Sequence, residues 1–338
     1  MIHAVFMGSP ELAVPSLRVL QTSEGVQVSG VVTQPDRPAG RRRHLRPCAV
    51  KAAALEMGLP TFAPIRMKGP EAQAEVLTLL RDCQADLIVV CAYGRILPRA
   101  LLDFPSLGCF NLHFSLLPRW RGASPLQAAL LAGDEVTGVS LQRMVEALDA
   151  GPIVAETPPL PIAPGETAGS LGERLALESA QLLKHTLPLL LAGTAPERPQ
   201  NEAQVTLCRT IGKEEGALDW RVEMAEQVLR KLQAYTPWPG VYSFLGPQRL
   251  VFTALESVPP DDAPDVAPDD ALADAPNGGP ADPTPPGVLR ADGLVATAQG
   301  WLRIVELQPE GKKPMPWAAF LNGHAEAPGQ QLLPNRRS

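Results

Sequence analysis

"DLIVVCAYGRILPRALLDFPSLGCFNLH", residues 86–113, decides the fold. It opens on an almost wholly apolar run, Asp86 to Cys91. A parallel strand covered on both faces requires such a run. Tyr93 and Gly94 follow just past its end, and a short helix is expected near Pro98. A second strand is expected over 108–113 (GCFNLH), and it ends on a polar pair, Asn111 and His113. Outward from this stretch the alternation continues. Residues 2–7 (IHAVFM) and 26–33 (VQVSGVVT) read as strands, and 47–57, 70–83 and 125–133 as helices. A strand pair over 136–155 and a long helix near 167–193 complete the unit. Alternating strands and helices predict an α/β, doubly wound, Rossmann-like domain over residues 1–193. Ligands of such sheets bind beyond the carboxyl ends of the strands, where Asn111, His113, Tyr93 and Gly94 fall. No G-x-G-x-x-G follows the first strand and there is no P-loop, so the pattern suggests neither a dinucleotide nor a nucleoside triphosphate.

Composition narrows the class. The chain has 338 residues, 45% hydrophobic and 20% charged, which fits a globular protein of two domains. No apolar run approaches the roughly 18–20 residues of a membrane span. The start, MIHAVFMGSP, lacks a basic leader region and reads as a first strand breaking at Gly8. Five scattered cysteines (Cys48, Cys83, Cys91, Cys109, Cys208) without a C-x-x-C predict a reducing cytoplasm and neither a disulfide framework nor a metal site.

Net charge is −6, but it is unevenly placed. Residues 257–286 hold seven Asp, nine Pro and no Lys or Arg, and without them the net charge is +1. Residues 36–46 hold five Arg against one Asp. A basic loop over 34–46, broken by Pro35, Pro38 and Gly40, is therefore set on a nearly neutral body. Residues 194–207 read as a linker. Residues 208–338 read as a smaller, mostly β, barrel-like domain of OB type. A helix is expected over 222–234, with strands near 241–245, 249–254, 287–290, 294–298 and 301–307. The acidic Pro/Ala/Asp-rich segment 257–286 interrupts this domain and has little to bury. Deleting residues 260–284 and joining the ends is expected to leave the melting temperature and the activity nearly unchanged. A surface loop adds only slowly to closure entropy, and a second domain that unfolds on deletion would show the segment to be structural.

In a strand, residues i and i+2 share a face, so Asn111 and His113 project side by side. An amide and an imidazole aimed at one point can stabilise a developing oxyanion and handle a proton. On spacing alone, a satisfied core histidine beside an Asn that caps a loop is the better reading.

Resemblance reverses that weight. NLHFSLLPRWRGASP (111–125) resembles the signature of the folate-dependent formyltransferases, N-x-H-x-S-L-L-P-x-x-R-G, and MVEALDAG (144–151) resembles their second block. VVTQPDRPAGRRRHL (31–45), EEGALDWRVEMAEQVLRKLQAYTPWPG (214–240) and LQPEGKKPM (307–315) are similar to segments of the branch that acts on charged initiator tRNA. The match runs from residue 2 to about 320, and only 257–286 departs strongly. Phe114 stands where small residues are common in that signature, a variation beside the site.

The resemblance implies Asn111, His113 and Asp149 as the catalytic trio and Ser115, Leu116, Leu117 and Pro118 as a folate-contacting segment. AYGRILP (92–98) resembles a second folate-lining stretch, with Tyr93, Ile96 and Leu97. Arg37, Arg41, Arg42 and Arg43 of the basic loop become candidate tRNA contacts. Arg119 and Arg121 either meet anionic groups or form a solvated loop face. Cys91 and Cys109 lie near the site in sequence without a nearby base, which fits packing. The implied donor is 10-formyltetrahydrofolate, and the implied acceptor is the α-amino group of methionine on initiator tRNA. The implied reaction uses no metal and no covalent enzyme intermediate. The expected setting is a cytoplasmic monomer serving translation initiation. Two rival readings share part of this pattern. A formyltransferase of sugar or nucleotide amines would carry the trio without the 34–46 loop and the second domain. A non-catalytic tRNA-binding module would carry the second domain without an intact trio.

Overall fold

The computed structural model describes residues 1–39, 44–264 and 284–336. Two compact units divide the chain: residues 1–129 with 134–210, and residues 130–133 with 211–338.

The first unit is built on a seven-stranded sheet. Its parallel strands are β1 (Ile2–Gly8) and β2 (Val26–Val32), then, beyond a hairpin of β3 (Arg37–Ala39) and β4 (His44–Arg46), β5 (Thr61–Phe62), β6 (Leu87–Cys91) and β7 (Gly108–His113). Helices α1 (Val14–Thr22), α2 (Ala49–Glu56), α3 (Pro70–Asp82) and α4 (Arg99–Leu102) connect them. After β8 (Arg121–Gly122), α5 (Pro125–Ala132) and β9 (Val136–Thr137), the chain returns as β10 (Ser140–Arg143), antiparallel to β7, and then as β11 (Ile153–Glu156), antiparallel to β10. The sheet order is β11-β10-β7-β6-β1-β2-β5. Chain order reverses between β1 and β6, the crevice where doubly wound sheets bind ligands. β12 (Leu160–Pro161) pairs with β9, and α6 (Ala168–Leu191) follows. Thr167 caps α6 by accepting from the Ser170 amide at 3.2 Å. β13 (Leu207–Cys208) closes the unit by pairing with β8.

The apolar run of β6 is buried at every position, as its composition requires. Val5, Met7, Ile88 and Val90 point into one face of the core with Val76 and Leu80 of α3. Gly8 ends β1 where a Cβ would lie 2.7 Å from the Cys91 carbonyl oxygen. No side chain fits between the carboxyl ends of β1 and β6.

The second unit holds α7 (Ala225–Tyr235) and an antiparallel sheet. The sheet order is β16 (Leu294–Ala296), β17 (Trp301–Pro309), β15 (Gln248–Val258), β14 (Val241–Leu245), β19 (Leu332–Leu333), with β18 (Met315–Pro316) also on β17. Register shifts near Ala254 bend the long β15–β17 ladder. Trp220 meets Phe252 edge-on at 5.5 Å and donates its indole N–H to Ser243 Oγ at 2.8 Å. Helix α8 (Trp317–Leu321) packs Phe320 fully inside.

The basic loop carries a two-stranded hairpin, β3 with β4. The strand pair expected over 136–155 is three short strands. Residues 287–290 make only isolated bridges, Val288 to Gln331 and Leu289 to Val295. Of the acidic segment, residues 265–283 lie outside the described residues. No helix among the described residues is long and apolar enough to cross a membrane.

Candidate active site

The site forms where β7 ends. Antiparallel pairing sets Gln142 opposite Asn111 and Ser140 opposite His113, so β10 presents its own polar side chains beside the strand-end pair. The turn after β10 then brings Asp149 back over both. Asp149 adopts φ +50°, a left-handed conformation uncommon outside glycine. The Asn111 Nδ2 donates to Asp149 Oδ1 at 3.4 Å, and His113 Nδ1 lies 3.8 Å from Asp149 Oδ2. Two stronger donors fix the carboxylate. The Gly122 amide reaches Oδ2 at 2.9 Å and Gln142 Nε2 reaches Oδ1 at 2.9 Å. The structure thus brings Asn111, His113 and Asp149 together, although 36 residues separate His113 from Asp149 in sequence.

His113 is buried. Its Nε2 lies 2.9 Å from the Trp120 carbonyl oxygen. A carbonyl only accepts, so this contact places a proton on Nε2. Nδ1 is then the position turned to the carboxylate.

The signature loop between β7 and β8 is folded by its own polar groups. Ser115 Oγ donates to the Arg119 carbonyl at 2.6 Å. Ser140 Oγ accepts from the Leu117 amide and donates to the Ser115 carbonyl, each at 2.9 Å. The Leu117–Pro118 bond is cis. Leu117 is buried, while Leu116 is half-buried and lies against Gly138. In the second candidate folate stretch the side chains divide. Ile96 is exposed, whereas Tyr93 and Leu97 belong to the sheet core, the Tyr93 hydroxyl donating to Met67 Sδ at 3.4 Å.

Both signature arginines are ion-paired, Arg119 at the surface and Arg121 inside. Arg119 pairs with Asp134, which also accepts from Trp120 Nε1 at 2.8 Å. Arg121 is buried, donating to Gln200 Oε1 at 2.9 Å and pairing with Glu202 at 2.7 Å. Arg37 is exposed and donates to Gln34 Oε1 at 2.6 Å. Arg41, Arg42 and Arg43 lie outside the described residues. Cys91 and Cys109 are packing residues: burial pushes both thiols up to about 12, away from the thiolate form a nucleophile needs. Burial also raises the Cys208 thiol, the ionised Asp149 adding to it.

Sequence reasoning missed Gln142, Gln200 and the Trp120 carbonyl. Gln142 had one signal, its place two residues after Ser140 and beside Leu141 in a strand-like run, where it shares a face with Ser140. Gln200 had none, because it stands in a polar, Pro-containing stretch.

Comparison with known proteins places this arrangement. Residues 3–187 match the formyl transferase family and residues 210–325 match the formyl transferase C-terminal domain. Methionyl-tRNA formyltransferase of Methylococcus capsulatus is 43% identical over 98% of this chain and 99% of its own length. The enzyme of the same name from Halorhodospira halophila is 44% identical over 97% and 98%. Among solved structures, HypX from Aquifex aeolicus in complex with tetrahydrofolic acid shares the fold. Its TM-score is 0.58 at 16% identity, covering 97% of this chain and 48% of that one. A sugar N-formyltransferase from Shewanella aligns with a TM-score of 0.55 at 17% identity, over 72% and 92%. With both formyltransferase regions present and relatives matched from end to end, this chain is a formyl-transferring enzyme that belongs to the methionyl-tRNA formyltransferase family.

Proposed function

We propose that the enzyme transfers the formyl group of 10-formyltetrahydrofolate to the α-amino group of methionine on initiator tRNA, with Asn111, His113 and Asp149 carrying the chemistry. The observation that supports this most is the convergence of an amide and an imidazole on one buried carboxylate at the end of β7. The methionine nitrogen, after losing a proton, attacks the formyl carbon, and the C=O electron pair moves to oxygen. Asn111 Nδ2–H and His113 Nε2–H donate to that oxyanion, each contact being worth roughly two to three orders of magnitude in rate. Nε2–H exchanges the Trp120 carbonyl for the oxyanion as the substrate arrives. Asp149 faces Nδ1 and holds the ring in its orientation. The attacking nitrogen, cationic once the new C–N bond has formed, gives up its second proton. Collapse of the tetrahedral intermediate breaks the bond from the formyl carbon to N10 of the folate, and N10 takes up a proton. His113, Asp149 or water relays these protons, and one is released to solvent overall.

In this reading Ser115–Pro118 and Ile96 line the folate, with Tyr93 and Leu97 backing that wall from the core. The enzyme acts in the cytoplasm and as a monomer. The deciding assay offers charged initiator tRNA, free methionine and an amino sugar with the same donor. Formylation of the sugar but not of the charged tRNA would overturn the proposal.

The 34–46 loop follows β2 and leaves the sheet on the side where the trio lies. Arg37, Arg41, Arg42 and Arg43 are its candidate phosphate contacts. Glu at Arg41 and Arg42 is expected to weaken use of the charged tRNA while leaving folate affinity unchanged. Each lost phosphate contact should reduce the log–log salt slope of tRNA binding by about one unit at most. Unchanged tRNA kinetics and slope would assign the grip to the second unit.

A further inference from the structure

We propose that residues 198–208, between the two family-matched regions, are a positioning strap of the active site and that Gln200 is its key residue. The proposal rests on the trio carrying the chemistry as read above. Composition makes this stretch a linker, but it is hydrogen-bonded to the site along its length. Arg198 and Ile153 exchange both main-chain hydrogen bonds at 2.8 Å. The Trp120 amide donates to Thr206 Oγ1 at 2.8 Å, and the Arg121 amide to the Thr206 carbonyl at 2.9 Å. Leu207 and Cys208 then run parallel to β8.

Gln200 uses its whole amide. The Nε2 hydrogens go to the main-chain oxygens of Asp149 at 2.8 Å and Gly151 at 2.7 Å, and Oε1 accepts from Arg121 Nε at 2.9 Å. A flipped amide would set its oxygen against two carbonyl oxygens, so one orientation alone satisfies the site. Asp149 stands in a strained left-handed conformation, which persists only where the surroundings over-determine it. Gln200 fixes the backbone of Asp149, and Gln142 and Gly122 fix its carboxylate. Arg121, buried and paired to Glu202 of the same strap, holds Gln200 in turn. The catalytic unit therefore needs the chain through Cys208.

The test is a double-variant cycle of Gln200→Met and Asp149→Ala, read by single-turnover formylation with both substrates saturating. Met fills the volume and removes the donors. The single Gln200→Met variant is expected to lose roughly 10- to 100-fold in rate, as for a misplaced catalytic group. KM for folate and for charged tRNA should stay within about threefold. In the Asp149→Ala background the same change should cost less than about twofold, because the group it positions is gone. Equal losses in both backgrounds, or a single variant within about twofold of the parent, would overturn the proposal. Should Gln200→Met fail to fold, Thr206→Val takes its place in the cycle, since it keeps the shape and removes the strap's acceptor for the Trp120 amide. A crystal structure of Gln200→Met gives a readout free of activity, in which the Asp149 carboxylate is expected to leave the Gly122 amide. An unmoved carboxylate overturns the strap whichever amine the parent formylates. A parent that does not formylate charged tRNA overturns the function proposed above and leaves this structural outcome intact.

Discussion

His113→Ala lowers the single-turnover rate of formylation by two orders of magnitude or more, and Asn111→Ala and Asp149→Ala follow within a similar range. Each change removes a group that acts on the charged intermediate or on the histidine that does so. The expectation concerns rate at saturating folate and tRNA, since none of the three is assigned to ground-state binding. Stability separates the variants. His113→Ala frees the Trp120 carbonyl, which also accepts from Cys208 Sγ at 3.4 Å, so its cost should be modest. Asp149→Ala leaves the Gly122 amide and Gln142 Nε2 without their acceptor, at about 1–3 kcal/mol for each buried group left unpaired. Asp149→Asn keeps the shape and one acceptor and is the better folded probe. Urea denaturation of all four proteins checks the fold beside the kinetics. A His113→Ala protein that is folded and formylates near the parent rate would remove the histidine from the mechanism.

How much of this was legible in the sequence differs from one residue to the next. The sheet was legible because β6 is apolar at every position and the helices start at Pro70 and Pro125 or end at Gly58, all local signals. The pairing of Asn111 with His113 was legible for the same reason, since strand periodicity is local. Asp149 was not readable from spacing. Its place depends on β10 returning antiparallel and on a left-handed residue at the turn, and only resemblance to a family motif pointed to it. Side-chain direction at Tyr93 and Leu97 was not legible either. Nearness to a strand end in sequence did not say which way the side chains turn, and both pack inward. The strap was illegible altogether. APERPQNEAQ has the composition of a linker, and its order comes from partners far along the chain: Asp149 for Gln200, Ile153 for Arg198, Trp120 for Thr206.

Gly122→Ala is expected to damage stability and catalysis together, because one backbone position serves both. Gly122 sits at φ +128°, where a side chain is strained whatever the space around it. A Cβ built there would lie 2.0 Å from the Cys208 carbonyl oxygen, a main-chain atom that cannot move without the β8–β13 pairing. Strain of about 1–3 kcal/mol is joined by overpacking of about 1–3 kcal/mol, so the total loss should be roughly 2–6 kcal/mol. Gly165→Ala is the control. Gly165 has φ +77° with nothing within 4 Å of its added Cβ, so it should show the conformational strain without the collision. The difference between the two melting curves isolates the steric part. The catalytic part follows from the Gly122 amide, which donates to Asp149 Oδ2 at 2.9 Å. To relieve the clash, β8 must move away from β13, and the amide leaves the carboxylate as it goes. A displacement of about 1 Å at a catalytic group costs on the order of a hundredfold in rate. Gly122→Ala should therefore be slow even at temperatures where it is fully folded. Equal stability in the two alanine variants, or an undiminished rate in folded Gly122→Ala, would mean that β8 yields without disturbing Asp149.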